Sequence, residues 1–261
     1  MNAVIRGKPD NLDAVGARFD RAALRQPVLL NSVPKAGTHL LRNILRMFVV
    51  QEQHWPGEYI QHALLRRSLA AFSTDRPFLS WGHLLFSDEA AIAVRRIRHI
   101  VLVRDPYDWV LARARFYLSD EFQGSLNHIK GGAAAPEDVM NMMILGVNGH
   151  VPTLQDIYTY NAAAWMGTHA AIVRYEDIVG AVGDLGSRRA EAFFAKLLED
   201  CGLDLPADWR DRVEAGADRR ESRTASENLN LTVEFPKVLP DIQKRLVDFH
   251  APGLRGLLGY A

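Results

Sequence analysis

Residues 27–46 read PVLLNSVPKAGTHLLRNILR. Pro27-Val28-Leu29-Leu30 is a short apolar run, and Asn31-Ser32-Val33-Pro34 follows it as a cluster of breakers. An apolar run of that length bounded by turn residues predicts a buried strand leading into a loop. From Thr38 the period changes, and Leu40, Leu41, Ile44, Leu45, Phe48 and Val49 share one helical face. A glycine-containing turn therefore joins a buried strand to an amphipathic helix. Such a junction turns backbone N–H groups and the positive end of a helix dipole toward one point, where an anion can bind. Lys35 adds a mobile cation and Thr38 a hydroxyl. The phosphate-loop pattern G-x-x-x-x-G-K-[ST] is absent, because Lys35 comes two residues before Gly37. A helix start with a turn glycine and an exposed lysine is the plainer account of the same residues.

Working outward, the stretch 77–81 (PFLSW) predicts a second strand, and Asp88 to Arg96 a helix capped by Ser87 or Asp88. His99-Ile100-Val101-Leu102-Val103 is the clearest strand, β-branched and almost wholly apolar as buried parallel strands are. It stops at Arg104-Asp105-Pro106, and a helix is expected from Asp108 to Tyr117. Further helices are expected over Leu154 to Met166 and Arg188 to Asp200, with a strand over Ala171 to Tyr175 between them. A polar, arginine-rich segment runs from Arg210 to Glu227, and a helix near the end leads into Gly259-Tyr260-Ala261. Strands alternating with helices predict an α/β fold with a central parallel sheet flanked by helices in a single domain. Residues 1–26 read as an N-terminal extension and 27–261 as the domain.

Composition narrows the function. The chain has 261 residues, with 31 basic and 31 acidic side chains and one cysteine. One domain of this size buries about three quarters of its unfolded surface, so no disulfide or metal staple is needed. A single cysteine forms no internal disulfide, which excludes the secreted disulfide scaffolds. Zero formal charge argues against a nucleic-acid partner, although one cleft can still be basic. The longest apolar runs fall far short of the roughly 20 residues that span a bilayer, and the first residues lack the apolar stretch of a secretory signal. A cytoplasmic location without a transmembrane segment is the expectation. The nine histidines show no H-x-x-x-H or H-E-x-x-H pair, so no metal is expected.

Three further segments carry possible chemistry. Arg104 stands at the carboxyl end of the strongest strand, the edge where open α/β sheets bind ligands, and an arginine there suits a phosphate. Pairing with Asp105 or Asp108 is its plainer explanation. His83 follows the predicted strand at 77–81, and its pKa range suits a general base, although most lone histidines are surface or core groups. Arg174-Tyr175-Glu176-Asp177 lies at another strand end, where Asp177 as a helix cap is the cheap reading.

Taken together and in this order, the segments resemble the sulfotransferases that use 3′-phosphoadenosine 5′-phosphosulfate (PAPS). VLLNSVPKAGTHLL resembles that family's 5′-phosphosulfate loop, and HIVLVRDPYDWVLARARFY its 3′-phosphate motif. The RYED-like strand end and the closing LLGYA are similar as well. The likeness covers residues 27–261, strongest in the first half. It implies a P-loop-kinase-like sulfotransferase fold and sulfuryl transfer from PAPS to a hydroxyl or amine of a small-molecule, lipid or glycan acceptor. The product would be adenosine 3′,5′-bisphosphate (PAP), and no metal is needed.

The same resemblance implies roles. Lys35 would reach the bridging oxygen of the phosphosulfate. The N–H groups of Ala36, Gly37, Thr38 and His39, with the Thr38 hydroxyl, would hold the 5′-phosphate. Arg104 would bind the 3′-phosphate and Tyr175 would lie near the adenine. His83, 21 residues before Arg104, matches the family's catalytic base. The chain also departs from the pattern. Ala112 replaces the serine that shares the 3′-phosphate, Trp81 a lysine two residues before the histidine, and Leu40 a stacking tryptophan; the C-terminal R-K-G is missing. Arg113 or Arg115 are candidate substitutes for the serine, and Arg219, Arg220 or Arg223 for the last phosphate contact, with Arg223 the choice among them. Trp55, Tyr59, Phe72, Phe116, Phe122, Met140, Met142 and Met143 either shape an acceptor pocket or belong to the core. The alternative class is a P-loop-type kinase or nucleotide-binding protein of the same fold without sulfotransfer activity.

Overall fold

The computed structural model describes residues 4–5, 10–124, 126–221, 229–231 and 233–260. Its strands, in chain order, are β1 (Val4–Ile5), β2 (Val28–Ser32), β3 (Ile60–Gln61), β4 (Leu79–His83), β5 (Arg98–Val103), β6 (Phe122–Gln123) and β7 (Ala171–Arg174). Five of them form one sheet in the order β3-β4-β2-β5-β7, and every neighbouring pair is parallel. β1 and β6 pair antiparallel apart from it. A parallel sheet needs crossover connections and helices on both faces, which is why β2 and β5 are buried along nearly their whole length.

The helices are α1 (Leu12–Gly16), α2 (Thr38–Arg46), α3 (Asp88–Val94), α4 (Pro106–Leu118), α5 (Pro136–Leu145), α6 (Leu154–Asn161), α7 (Tyr175–Gly183), α8 (Arg188–Asp200), α9 (Trp209–Gly216), α10 (Asp241–His250) and α11 (Leu254–Leu257). α2 packs against α9 so closely that a Cβ on Gly216 would lie 2.5 Å from the Ile44 Cα, so only glycine fits there. Strand direction and order then define one crevice. The chain passes from β2 to β4 on one side and crosses to β5 on the other. Beyond the carboxyl ends of strands at such a reversal, open α/β sheets bind their ligands.

Several boundaries differ from the sequence reading. β2 runs through Asn31 and Ser32 rather than stopping before them. The Asn31 amide explains this: it donates to the Leu84 carbonyl and accepts from the Leu84 N–H, so a polar residue is satisfied inside the sheet. β4 begins at Leu79 and ends at His83, so His83 is the last residue of the strand instead of following it. Ser87 caps α3 as expected, its hydroxyl accepting from the Ala90 N–H. Tyr175 opens α7 instead of closing β7, and the helix expected to reach Met166 ends at Asn161, followed by a 3-10 turn over Ala163–Trp165. No described helix is long and apolar enough to cross a membrane.

Candidate active site at the carboxyl edge of the sheet

The turn after β2 has an unusual backbone. Lys35 is the only described non-glycine residue with positive φ, at 68°, and Gly37 follows at 105°. Left-handed residues spaced this way turn successive N–H groups inward into an anion-binding concavity. Gly37 is also required sterically, since a Cβ there would stand 2.4 Å from the Tyr175 ring. The indole of Trp109, a residue of α4, donates to the Pro34 carbonyl and ties the turn to the neighbouring motif. Thr38 begins α2 with its hydroxyl 2.6 Å from that of Ser32.

His83 faces the same turn. Its Nδ1 lies 2.9 Å from both the carbonyl and the hydroxyl oxygen of Ser32. A carbonyl only accepts, so Nδ1 carries the proton and Nε2 keeps its lone pair. The Tyr59 ring meets the imidazole edge to face at 4.8 Å. Burial first, and then electrostatic repulsion from neighbouring His39 and Lys35, push the imidazole down to about 3, against the pull of its bond to Ser32. The side chain therefore rests neutral and able to accept a proton at Nε2.

Lys35 and Arg104 converge. The half-buried Lys35 ammonium sits 3.8 Å from the centroid of the Phe116 ring. Burial, followed by repulsion from Arg104, brings it down to about 7. Arg104 leaves β5 at its carboxyl end, and its guanidinium lies 4.5 Å from the centre of the Tyr175 ring. The Arg104 Nε is buried and has no hydrogen-bond partner. A buried guanidinium nitrogen with no partner, beside a second cation, suits an anionic group.

The simpler pairing of Arg104 with Asp105 does not form. Asp105 caps α4 by accepting from the Tyr107 N–H and also accepts from Arg255 at 2.9 and 3.0 Å. Glu176 accepts from the Asp105 N–H and from the Tyr260 hydroxyl, while Arg174 binds Asp177 and the Gly259 carbonyl. Asp177 is thus an ion-pair partner rather than a helix cap. The last turns of the chain hold both carboxylate-bearing motifs in place.

The structure separates the remaining candidates. Arg113 is buried against Trp109 and Tyr117, pointing into the core. Arg115 instead binds the Pro236 carbonyl and feels the charge of Arg104. Trp81 has the Arg42 guanidinium 3.7 Å from its ring, which puts a cation beside it despite the missing lysine. Tyr59 and Phe116 border His83 and Lys35, whereas Met140 and Met143 are fully buried core and Trp55 packs on Phe78. Arg223 lies outside the described residues. Ser32 and Arg255 escaped the sequence reading; Ser32 stood there only as one of the breakers after the first strand, and Arg255 left no signal. No group of side chains suited to a metal ion occurs among the described residues.

No family model matches the chain, and neither does any curated protein. Solved structures do. Mouse sulfotransferase SULT7A1, determined in complex with PAP, matches over 96% of this chain and 93% of that one, with a TM-score of 0.52 and 15% identity. A retinol dehydratase in complex with androsterone and the inactive cofactor PAP matches over 92% and 80%, with a TM-score of 0.47 and 16% identity. The sulfotransferase domain from the curacin biosynthetic pathway matches over 92% and 99%, at 0.43 and 12%. The chain therefore has the fold of the sulfotransferases, an α/β domain built on a central parallel sheet.

Proposed function

We propose that this chain is a sulfotransferase that moves the sulfuryl group of PAPS to a hydroxyl or amine of a small-molecule, lipid or glycan acceptor. The observation that carries this reading is the meeting of Lys35, Arg104 and His83 at the carboxyl edge of the sheet. Two cations there face a concave backbone turn, and the imidazole beside them has an unengaged Nε2. PAPS supplies an activated sulfuryl group, and the residues of the chain supply position and charge.

In this reading the N–H groups of Gly37, Thr38 and His39 hold the 5′-phosphate together with the Thr38 hydroxyl, while the Ala36 N–H, also expected there from the sequence, donates to the Val33 carbonyl at 3.0 Å. Arg104 holds the 3′-phosphate, with Arg115 taking the part that Ala112 cannot. Tyr175 lies beside the adenine and Arg223 makes the last phosphate contact. His83 Nε2 takes the acceptor proton as the acceptor oxygen bonds to sulfur. The sulfur–oxygen bond to the phosphate breaks, and its electron pair stays on the bridging oxygen beside Lys35. Tyr59 and Phe116 border the acceptor. Residues 27–261 form the sulfotransferase domain behind a 26-residue extension, in the cytoplasm, and no metal takes part.

The test is thermal melting with PAP beside ATP and magnesium, followed by turnover of labelled PAPS with a simple phenol. A ligand at about 100 times its dissociation constant adds roughly 2.7 kcal/mol of stability, so PAP should raise the melting temperature and ATP should do less. Equal shifts from the two nucleotides, without turnover, would favour the kinase-like alternative.

A further inference from the structure

We propose a second anion site at the opposite, amino-terminal edge of the sheet, for a small ligand carrying two or more phosphate or sulfate groups. Two adjoining cavities open there, of about 380 and about 420 Å³, and they share Gln26 and Arg98. Arg95 and Arg96 line the first and Arg25 the second. These four guanidiniums come from three separate stretches: the approach to β2, the end of α3, and the first residue of β5. Arg25, Arg95 and Arg96 make no ion pair among the described residues, and the Arg98 guanidinium donates there only to the Gln26 amide oxygen.

Charge at this edge is out of proportion to the chain. The whole sequence has formal charge zero, yet four arginines meet here against a single lining carboxylate. That carboxylate, Asp200, already binds Lys196 at 2.7 Å. Cations after a helix C-terminus are favourable on their own, which accounts for Arg95 and Arg96. It does not account for Arg25 and Arg98, which belong to other elements. Clustered like charges repel, and a polyanion removes that cost while the guanidinium forks offer paired hydrogen bonds to its oxygens. His99 also lines the first cavity; it is 2% exposed, and neither of its ring nitrogens has a partner.

The site is separate from the one described above. Arg98 and Arg104 stand at opposite ends of β5, and six residues at about 3.3 Å each put them about 20 Å apart. One phosphate-bearing group in each adjoining cavity needs a ligand with at least two such groups, and their charge can come from phosphate or from sulfate.

The proposal is tested by isothermal titration of the full chain carrying Arg104→Ala, so that the catalytic edge contributes little. Inorganic tripolyphosphate is one titrant, and a trisulfated disaccharide is the other. One equivalent of the better titrant is expected to bind, and its identity names the source of the anion. Arg95→Ser with Arg98→Ser should weaken that binding at least tenfold, and so should Arg25→Ser alone, an exposed change that leaves the core intact. Arg67→Ser, also exposed, should alter it less than twofold. Absence of binding by either titrant, unchanged affinity in both site variants, or equal weakening by Arg67→Ser would overturn the site.

Discussion

Asp105 accepts from Arg255, a residue 150 positions further along the chain, at 2.9 and 3.0 Å, while the Nε of its sequence neighbour Arg104 has no partner. The pair explains how an arginine followed directly by an aspartate keeps its charge available. Removing Arg255 frees the Asp105 carboxylate to turn on Arg104. Arg255→Ala is therefore expected to raise the Kd of PAP at least tenfold, in line with the roughly 1.5–3 kcal/mol of a hydrogen bond to a charged group. Arg255→Ala with Asp105→Asn should recover most of that loss. A titration in which the double variant binds PAP no better than Arg255→Ala would refute the link.

Arg104 itself should discriminate between nucleotides. Arg104→Ala is expected to weaken PAP far more than adenosine 5′-phosphosulfate, which has no 3′-phosphate. Equal losses for the two ligands in parallel titrations would remove the role assigned to this guanidinium.

His83 is expected to matter for rate rather than for nucleotide binding. His83→Ala should lower turnover by about a hundredfold to ten-thousandfold, and PAP should still raise the melting temperature. The defect should shrink with an acidic nitrophenol, whose proton is already gone. Burial lowers the imidazole to about 3, and a bound dianion should raise it. NMR titration of the ring with and without PAP reads that shift directly, and a near-normal rate of His83→Ala on a high-pKa alcohol would exclude the base role.

Lys35 gives a pH signature. Its ammonium, lowered to about 7 by burial and then by Arg104, loses its proton as pH rises through that value. The neutral amine cannot offset charge on the leaving oxygen. Hence kcat/KM for PAPS, which reports the free enzyme, should fall above about pH 7. The limb of kcat should lie higher, because the bound anion favours the ammonium. Lys35→Arg should abolish the limb near 7, and a limb that stays there in this variant would assign it to another group.

His99 links stability to pH in the acid direction. Burial, with a further push from His169, lowers its pKa from 6.5 to about 3. The unfolded chain then binds the extra proton, so stability is fully present above about 6.5 and is lost as pH falls toward 3. The loss from this residue should be about 2 kcal/mol at pH 5. His99→Phe, which keeps a ring against Trp165, should flatten the decline in chemical denaturation between pH 7 and 5. An unchanged slope would contradict the linkage.

Local sequence pattern encodes the strand–turn–helix at 28–46, the strand that runs up to Arg104, and the neighbourhood of Lys35, Gly37 and Thr38. These follow from short-range causes: apolar runs that must be buried, a turn that needs left-handed backbone, and a helix start that exposes its N–H groups. It also marked His83, though as a residue after its strand rather than the last one within it. Tertiary structure alone decided which partners those residues keep. Ser32 sets the tautomer of His83 from a neighbouring strand, Arg255 takes Asp105 away from Arg104, and Arg115 reaches the Pro236 carbonyl whereas Arg113 is buried in the core. Such choices depend on which side chains packing brings together across 50 to 150 residues, and no local pattern encodes that distance. The arginines at the amino edge were invisible for the same reason: Arg25 and Arg98 are 73 residues apart in the chain and become neighbours only when β5 pairs beside β2.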